Sequence, residues 1–236
     1  YKKLAPMPAD KGNPDVFSKT FVEVAYNDLV RLDEDGYLQV YGVSLTVDSL
    51  ALYYNKDHFE DRIPERGYPS STWDGIKQDV KLLNKGVPSG GKTAFDVSGI
   101  AMGRADNITR AVDIIYLLFL QHGVNFYEDK ISETTFAAPS GKGDIPYPGI
   151  EALKLFSGFA KPESDDYSWN EYMADEDSAS QEITAFASGK VSMIIGYAYT
   201  YDLIMKEISA LNKSKGGKGI STDAVKIAPI PQLYDP

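Results

Sequence analysis

Apolar side chains recur every three or four residues in several stretches of the chain, which is the spacing of one face of a helix. These stretches predict helices over about 15–30, 73–85, 108–121, 150–159, 179–187 and 201–211, with a short helix after Asn55. Alternating or continuous apolar runs are typical of half-buried or fully buried strands, and they predict strands over 37–54, 98–102, 190–195 and 225–230. Helices and strands alternate along the chain, which predicts an α/β fold.

Polar residues mark the starts of three of these helices. Thr72 and Asn107 are predicted to cap the helices that follow them, and Ser178–Gln181 has the pattern of a capping box. The helix after Asn107 is apolar on most sides and is predicted to be buried. Its two charged residues, Arg110 and Asp113, lie in its first turns, where solvent or a cleft would receive them.

Composition restricts the class of protein. The 236 residues are 43% hydrophobic and 12% aromatic, which is typical of a globular chain with one large domain or two smaller ones. The net charge is −10, which disfavours general binding to nucleic acid or to an anionic membrane surface. The chain has no cysteine and only two histidines, so disulfides, thiol chemistry, zinc sites and a histidine-based triad are disfavoured as well.

Polar and aromatic side chains are concentrated in three segments at predicted strand or helix ends, namely 46–49, 167–172 and 197–201. Ligands of α/β proteins settle beyond strand ends, so we expect the function in these loops. A sugar ring has apolar C–H faces and a belt of hydroxyl groups. A sugar site therefore needs flat aromatic rings together with Asp, Asn or Glu, and the three segments favour such a site.

Each candidate in these segments also has a structural explanation. Tyr197 and Tyr199 would share a face if their strand continued, and core packing explains such a pair equally well. Trp169, beside Asn170 in a polar loop, is either a ligand platform or a lid over the core. Asp48, in an otherwise apolar strand, either contacts a ligand or makes a capping or inter-loop hydrogen bond.

Enzymatic interpretations have weaker support. The Gly-rich segments 89–93 and 99–103 invite comparison with phosphate-binding loops, but the first lacks the upstream glycine and the second lacks the Lys-Ser/Thr ending. A glycosidase needs two carboxylates at a suitable separation. The 34 acidic residues leave such a pair open, but no motif selects it.

Three blocks carry a resemblance to a known family. They are residues 41–57, which begin Tyr-Gly-Val-Ser-Leu-Thr-Val-Asp, the Ser-Thr-Trp-Asp of 71–74, and the Phe-Ala-Ser-Gly-Lys-Val-Ser-Met of 186–193. In order and interval these blocks resemble the extracellular solute-binding proteins of ABC importers, in the maltose-binding-like sugar group. Ser44 and Ser71 depart from the pattern, since proline is commoner at the first position and often precedes the Thr-Trp pair.

The resemblance implies an α/β, periplasmic-binding-protein-like fold in which two lobes are joined by crossing strands and hold a ligand between them. It places the C-terminal part of the first lobe in 1–42, a crossing strand of the hinge in 43–50 and the second lobe in 51–236. We therefore expect a fragment that lacks most of the first lobe. The ligand-binding residues expected from these arguments are Asp48, Asn107, Trp169, Asn170, Tyr197 and Tyr199.

The expected function is that of a non-enzymatic receptor that binds a sugar or oligosaccharide and delivers it to the membrane permease of an ABC importer. We expect a monomer that binds no cofactor, no metal and no nucleic acid. The expected location is extracytoplasmic, in the periplasm or at the outer face of the membrane, with a lipid anchor in an upstream segment and a free form both open. The alternatives are a polysaccharide-acting enzyme that uses cleft carboxylates and a surface adhesion module.

Overall fold

The computed structural model of the chain describes residues 4–87, 94–126, 136–139, 145–173, 181–214 and 216–234. The chain divides into two compact units, Tyr1–Ser49 and Leu50–Pro236. Two predicted features lie outside the described residues. They are the Gly-rich segment 89–93 and Ser178–Ser180 of the expected capping box. No helix within the described ranges is long and apolar enough to cross a membrane.

The first unit is a small layer of two helices and a hairpin. Its elements are α1 (Pro14–Thr20), α2 (Glu23–Leu29), β1 (Val30–Leu32) and β2 (Leu38–Val40). The strands are antiparallel, and Val30 of β1 lies opposite Val40 of β2. Phe17, Ala25, Val30 and Val40 form its buried core. This core is far smaller than that of the second unit.

Two predictions for the first unit are wrong. The single helix expected over 15–30 is interrupted where Phe21 becomes extended, and the Phe21 ring stacks on that of Phe17 at 4.2 Å. The neighbouring β-branched Thr20 and Val22 also weaken a helix at this point. The strand expected over 37–54 is also interrupted, because residues 43–50 pair with no strand in the described structure and Leu45 is 95% exposed. The hinge role expected for 43–50 stays a prediction.

The second unit is built on an antiparallel three-stranded sheet in the order β4 (Met193–Gly196), β3 (Ala51–Asn55) and β5 (Val225–Ala228). In register, Ala51 lies opposite Gly196 and Leu52 lies opposite Ala228. The end of β4, the start of β3 and the end of β5 therefore lie at the same end of the sheet. The helices of this unit are α3 (Lys56–Arg62), α4 (Trp73–Leu83), α5 (Ala111–Gln121), α6 (Pro148–Gly158), α7 (Gln181–Ala187) and α8 (Thr200–Lys213).

The helices pack around one large core. Fully buried members include Tyr53 and Leu52 of β3, Trp73 and Ile76 of α4, and Phe186 of α7. The alternation of helix and strand confirms the predicted α/β class. The strand expected over 98–102 is reduced to an isolated bridge between Ser98 and Val191, because the chain runs beside its neighbour there for one residue only.

The two single-residue caps predicted from sequence have different outcomes. Thr72 caps α4 as expected, and its hydroxyl accepts a hydrogen bond from the Gly75 N–H at 3.2 Å. Asn107 does not cap α5, which begins at Ala111 with Arg110 at the N-cap position. The Asn107 side chain is occupied by two long-range hydrogen bonds to the 169–170 region, and this tertiary use replaces the local one.

Candidate functional site

A group of exposed aromatic and charged side chains lies beyond the end of β4. The strand ends at Gly196, where an added Cβ would come within 2.4 Å of Thr200 Oγ1, so the tight turn into α8 requires glycine. The Tyr53 hydroxyl, from the central strand, donates hydrogen bonds to the carbonyls of Tyr197 at 2.8 Å and Ala198 at 3.2 Å. The core strand thus fixes the backbone of this turn.

Tyr197 and Tyr199 project from the turn as a stacked pair. Their ring centroids are 5.9 Å apart with an interplanar angle of 29°. Tyr197 is half-buried, whereas Tyr199 keeps 39% of its surface exposed. The two residues expected to share a face therefore do so, although the chain is already turning into α8 at Tyr199.

The start of α5 adds two opposite charges to this pair. The Arg110 guanidinium carbon lies 5.6 Å from the Tyr197 ring centroid and 5.5 Å from that of Tyr199, within the range of a cation–π contact. Arg110 Nη1 lies 3.6 Å from Asp113 Oδ2, and both side chains are more than a third exposed. We call Tyr197, Tyr199, Arg110 and Asp113 the tyrosine site.

The tyrosine site combines three kinds of recognition chemistry. The tyrosine rings offer flat apolar surface, the guanidinium offers N–H donors, and the carboxylate offers acceptors. Burial raises the pKa of Tyr197, and the negative charge of Asp113 raises it further. Tyr197 therefore keeps its O–H at neutral pH and can donate a hydrogen bond. This set matches the faces and hydroxyl groups of a sugar.

Three of the predicted site residues lie inside the core instead. Trp169 has 0% of its surface exposed, and its indole N–H donates to Asn107 Oδ1 at 2.8 Å. Asn107 Nδ2 donates to the Asn170 carbonyl at 3.0 Å, and Asn170 Nδ2 donates to the Tyr167 hydroxyl at 2.9 Å. We call Trp169, Asn107, Asn170 and Tyr167 the tryptophan cluster.

The structure therefore places these three residues in the core, and their contact with a ligand stays a prediction that this placement does not support. The Trp169 ring has no free face, and the side-chain amides of Asn107 and Asn170 are already used within the cluster. Of the two interpretations left open for Trp169, the structural one holds. Burial of a Trp and two Asn side chains requires partners for their polar atoms, and the cluster supplies them to one another.

One predicted residue, Asp48, lies outside both groups, and two residues of the tyrosine site, Arg110 and Asp113, were not predicted. Asp48 is exposed and belongs to the first unit, whereas the tyrosine site belongs to the second. Arg110 and Asp113 were not expected as ligand-binding residues. The available signal was their position as the only charged side chains near the start of an apolar helix, because such a helix places charge where solvent or a cleft can receive it.

A concave region lies beside the end of β5, at the same end of the sheet. Its volume is about 820 Å³, and it is formed by residues 66 and 68–71 on one side and residues 228–230 and 232 on the other. Tyr68 is 56% exposed, and the Arg66 guanidinium carbon lies 5.9 Å from its ring centroid. None of the expected ligand residues lines this region. Within the described part of the chain, no group of His, Cys, Asp or Glu could hold a metal ion.

Solved structures define the class of this fold. The sugar-binding protein MalE from Xanthomonas citri has a TM-score of 0.64 at 18% identity, over 98% of this chain and 48% of that chain. An ABC transporter solute-binding protein from Thermotoga lettingae, bound with α-D-tagatose, has a TM-score of 0.55 at 20% identity, over 99% and 50%. The GacH receptor of Streptomyces glaucescens, solved unliganded and with acarbose, has a TM-score of 0.55 at 16% identity, over 97% and 47%.

These likenesses identify the α/β, periplasmic-binding-protein-like fold, and this chain spans about half the length of each structure. The sequence profile of the bacterial extracellular solute-binding proteins matches residues 6–232, so the chain belongs to that family. No curated protein sequence matches the chain significantly.

Proposed function

We propose that this chain is part of the extracytoplasmic receptor of an ABC importer that binds a sugar or oligosaccharide and delivers it to a membrane permease. The tyrosine site carries the proposal, because it joins stacked aromatic rings with an exposed donor and an exposed acceptor. Family membership and the sugar-binding relatives support it. No feature of the described residues favours the enzyme alternative, and the matching family consists of binding proteins.

In this proposal the whole protein has the two-lobe arrangement of the maltose-binding-like proteins. Residues 51–236 form most of one lobe, 1–42 belong to the other, and 43–50 connect them. The four residues of the tyrosine site contact the ligand from the larger lobe, and Asp48 stays a further predicted contact. A ligand that touches both lobes binds the closed state more tightly than the open one, and this difference drives closure.

The same reasoning gives the expected setting of the receptor. A family of extracellular proteins supports a location outside the cytoplasm, either free or held by a lipid anchor in a segment upstream of Tyr1. The receptor acts as a monomer and meets the permease in its closed, loaded form. Because half of the cleft is contributed by the other lobe, residues 1–236 alone are expected to bind sugar weakly.

Isothermal calorimetry on the full-length protein tests the proposal. The probes are maltose, mannobiose, tagatose and a neutral oligosaccharide mixture, preceded by a thermal-shift screen of the same compounds. The expected result is binding of at least one saccharide, with an affinity that falls about 30-fold in Tyr199→Ala. Labelled oligosaccharide should remain unchanged at high protein concentration. Shortened products would favour the enzyme alternative, and tight binding by residues 1–236 alone would contradict the two-lobe arrangement.

A further inference from the structure

A buried carboxylate lies behind the tyrosine site. Glu182, on α7, is only 3% exposed. Its Oε1 accepts a hydrogen bond from the Thr109 backbone N–H at 3.1 Å, and its Oε2 accepts one from the Thr109 hydroxyl at 3.2 Å. A buried carboxylate is costly unless such bonds compensate for lost water. Both oxygens are thus committed to the residue that directly precedes Arg110.

The same helix is bonded to the second element of the site. Thr184, half a turn further along α7, donates from its hydroxyl to Glu207 Oε1 on α8 at 3.1 Å. The helix α8 begins at Thr200, directly after Tyr199. One short helix therefore holds the start of α5, which carries Arg110 and Asp113, and also the helix that follows the two tyrosines.

Arg110 has little else to hold it in place. It occupies the N-cap position of α5 without a capping hydrogen bond, and no described residue accepts a hydrogen bond from its guanidinium. Its contacts are the ion pair with Asp113 and the two tyrosine rings, and such contacts are weak at exposed positions. Its position depends mainly on where the backbone places it.

We infer that Glu182 is a positioning residue, which fixes Thr109 and thereby holds the Arg110 guanidinium over the rings of Tyr197 and Tyr199. The importance of this arrangement for sugar binding rests on the proposed function. The arrangement itself is a property of the folded protein without ligand. A measurement on the unliganded protein therefore separates the two claims.

The experiment places 3-fluorotyrosine at position 199 of the full-length protein and records its ¹⁹F NMR signal. Arg110→Ala defines the signal of the ring without its guanidinium. In Glu182→Ala the signal is expected to shift toward that position or to split. In Glu182→Gln it should stay near the wild-type position, because the amide oxygen can still accept from the Thr109 N–H and the amide NH₂ can donate to the Thr109 hydroxyl.

Asp79→Asn is the matched control. Asp79 is also 3% exposed and also accepts a backbone hydrogen bond, from the Ser70 N–H at 2.9 Å, but it lies on α4 and pairs with Arg66. Its loss should lower the free energy of unfolding in urea and leave the ¹⁹F signal in place. A general loosening of the protein would instead move the signal in both variants.

An unmoved ¹⁹F signal in Glu182→Ala would overturn the inference, as would an equal shift in Asp79→Asn. If Glu182→Ala does not fold, Thr109→Val removes the hydroxyl contact and keeps the shape of the side chain. We then expect a smaller shift in the same direction, and no shift would overturn the inference. A failure of every saccharide to bind would contradict the proposed function and would leave the ¹⁹F result unaffected.

Discussion

The tryptophan cluster and the tyrosine site use similar side chains in opposite ways. In the cluster, Trp169 has no exposed surface and its N–H is bonded to Asn107. In the site, Tyr199 is 39% exposed, and Arg110 donates no hydrogen bond to any described residue. In both groups the sequence places aromatic rings beside polar residues, and this pattern predicted a sugar-binding site at each. The structure assigns one to the core and the other to the surface.

The difference lies in where the polar atoms find partners. Each amide of the tryptophan cluster bonds another member, and Asn170 Oδ1 also accepts from the Tyr172 N–H, so these polar side chains have their partners within the protein. In the tyrosine site, Arg110 and Asp113 pair with each other, but both side chains are more than a third exposed and can be reached by a ligand. Both groups place aromatic rings beside polar side chains, and the satisfaction of hydrogen bonds within the protein distinguishes a structural core cluster from a binding surface.

The largest effect is expected at the tryptophan cluster. Trp169→Ala removes a fully buried indole, and we expect the free energy of unfolding to fall by about 3–5 kcal/mol. Urea unfolding followed by circular dichroism measures this loss. Sugar affinity, corrected for the folded fraction, should change little, because the indole has no surface for a ligand.

Trp169→Phe serves as the control for this prediction. It keeps most of the ring but leaves Asn107 Oδ1 without its donor, so the loss should fall to about 1–3 kcal/mol. A stable Trp169→Ala protein that no longer binds sugar would reverse the assignments of the two regions.

The second effect concerns the tyrosine site. Tyr199→Ala removes an exposed ring that packs on Tyr197, so the free energy of unfolding should change by only about 0.5 kcal/mol. Sugar affinity of the full-length protein should fall about 30-fold, which corresponds to about 2 kcal/mol, the size of a contact that dominates binding. Calorimetry measures the affinity. Tyr199→Phe retains the ring and should retain most of the binding, and a loss in Tyr199→Phe equal to that in Tyr199→Ala would argue against a stacking role.

Acid pH separates stability from binding, because neither region contains a histidine. Burial lowers the pKa of His58, and the positive charge of Lys85 lowers it further. The His58 ring is held in its neutral form, with Nδ1 2.9 Å from Ser192 Oγ. An imidazole with a lowered pKa in the folded state stabilises the fold above its unfolded pKa of about 6.5 and loses that stabilisation as the pH falls below it.

The free energy of unfolding should therefore decline below about pH 6.5, with a slope from this group of at most about 1.4 kcal/mol per pH unit. Urea unfolding at several pH values, from neutral pH to below about pH 6.5, measures this decline. His58→Gln should flatten the decline, while sugar affinity per folded molecule stays constant from neutral pH down through the same range. An unchanged slope in His58→Gln would assign the decline to other groups.

Sequence alone was sufficient where local spacing decides the structure. The helix after Thr72 and the buried strand before Tyr197 follow from apolar periodicity and a cap, and both are present. Sequence alone was insufficient where a partner that is distant in sequence decides the structure. Asn107 has the chemistry of a helix cap, but Trp169, 62 positions away, supplies a donor that its side chain accepts instead.

The same limit explains the errors at 43–50 and in the site. Alternation of apolar and polar residues fits a strand only where a second strand is available, and the described structure provides none beside Leu45. Tyr197 and Tyr199 were found because they are only two positions apart in sequence. Arg110 joins them only because the fold brings the start of α5 beside the turn after β4, a contact that no local pattern encodes.

A small stability effect is also expected for Arg110, and comparison with a second arginine makes it informative. Arg110→Ala removes an exposed ion pair and two exposed cation–π contacts, so the free energy of unfolding should fall by at most about 1 kcal/mol. Arg66→Ala leaves the buried carboxylate of Asp79 without its charged partner and should cost about 3–5 kcal/mol. Urea unfolding of both variants, with calorimetry of sugar binding, compares them directly. Since Arg66 stabilises the core and Arg110 is open to a ligand, we expect only Arg110→Ala to weaken binding by the folded protein, and equal stability losses would place Arg110 with the structural residues.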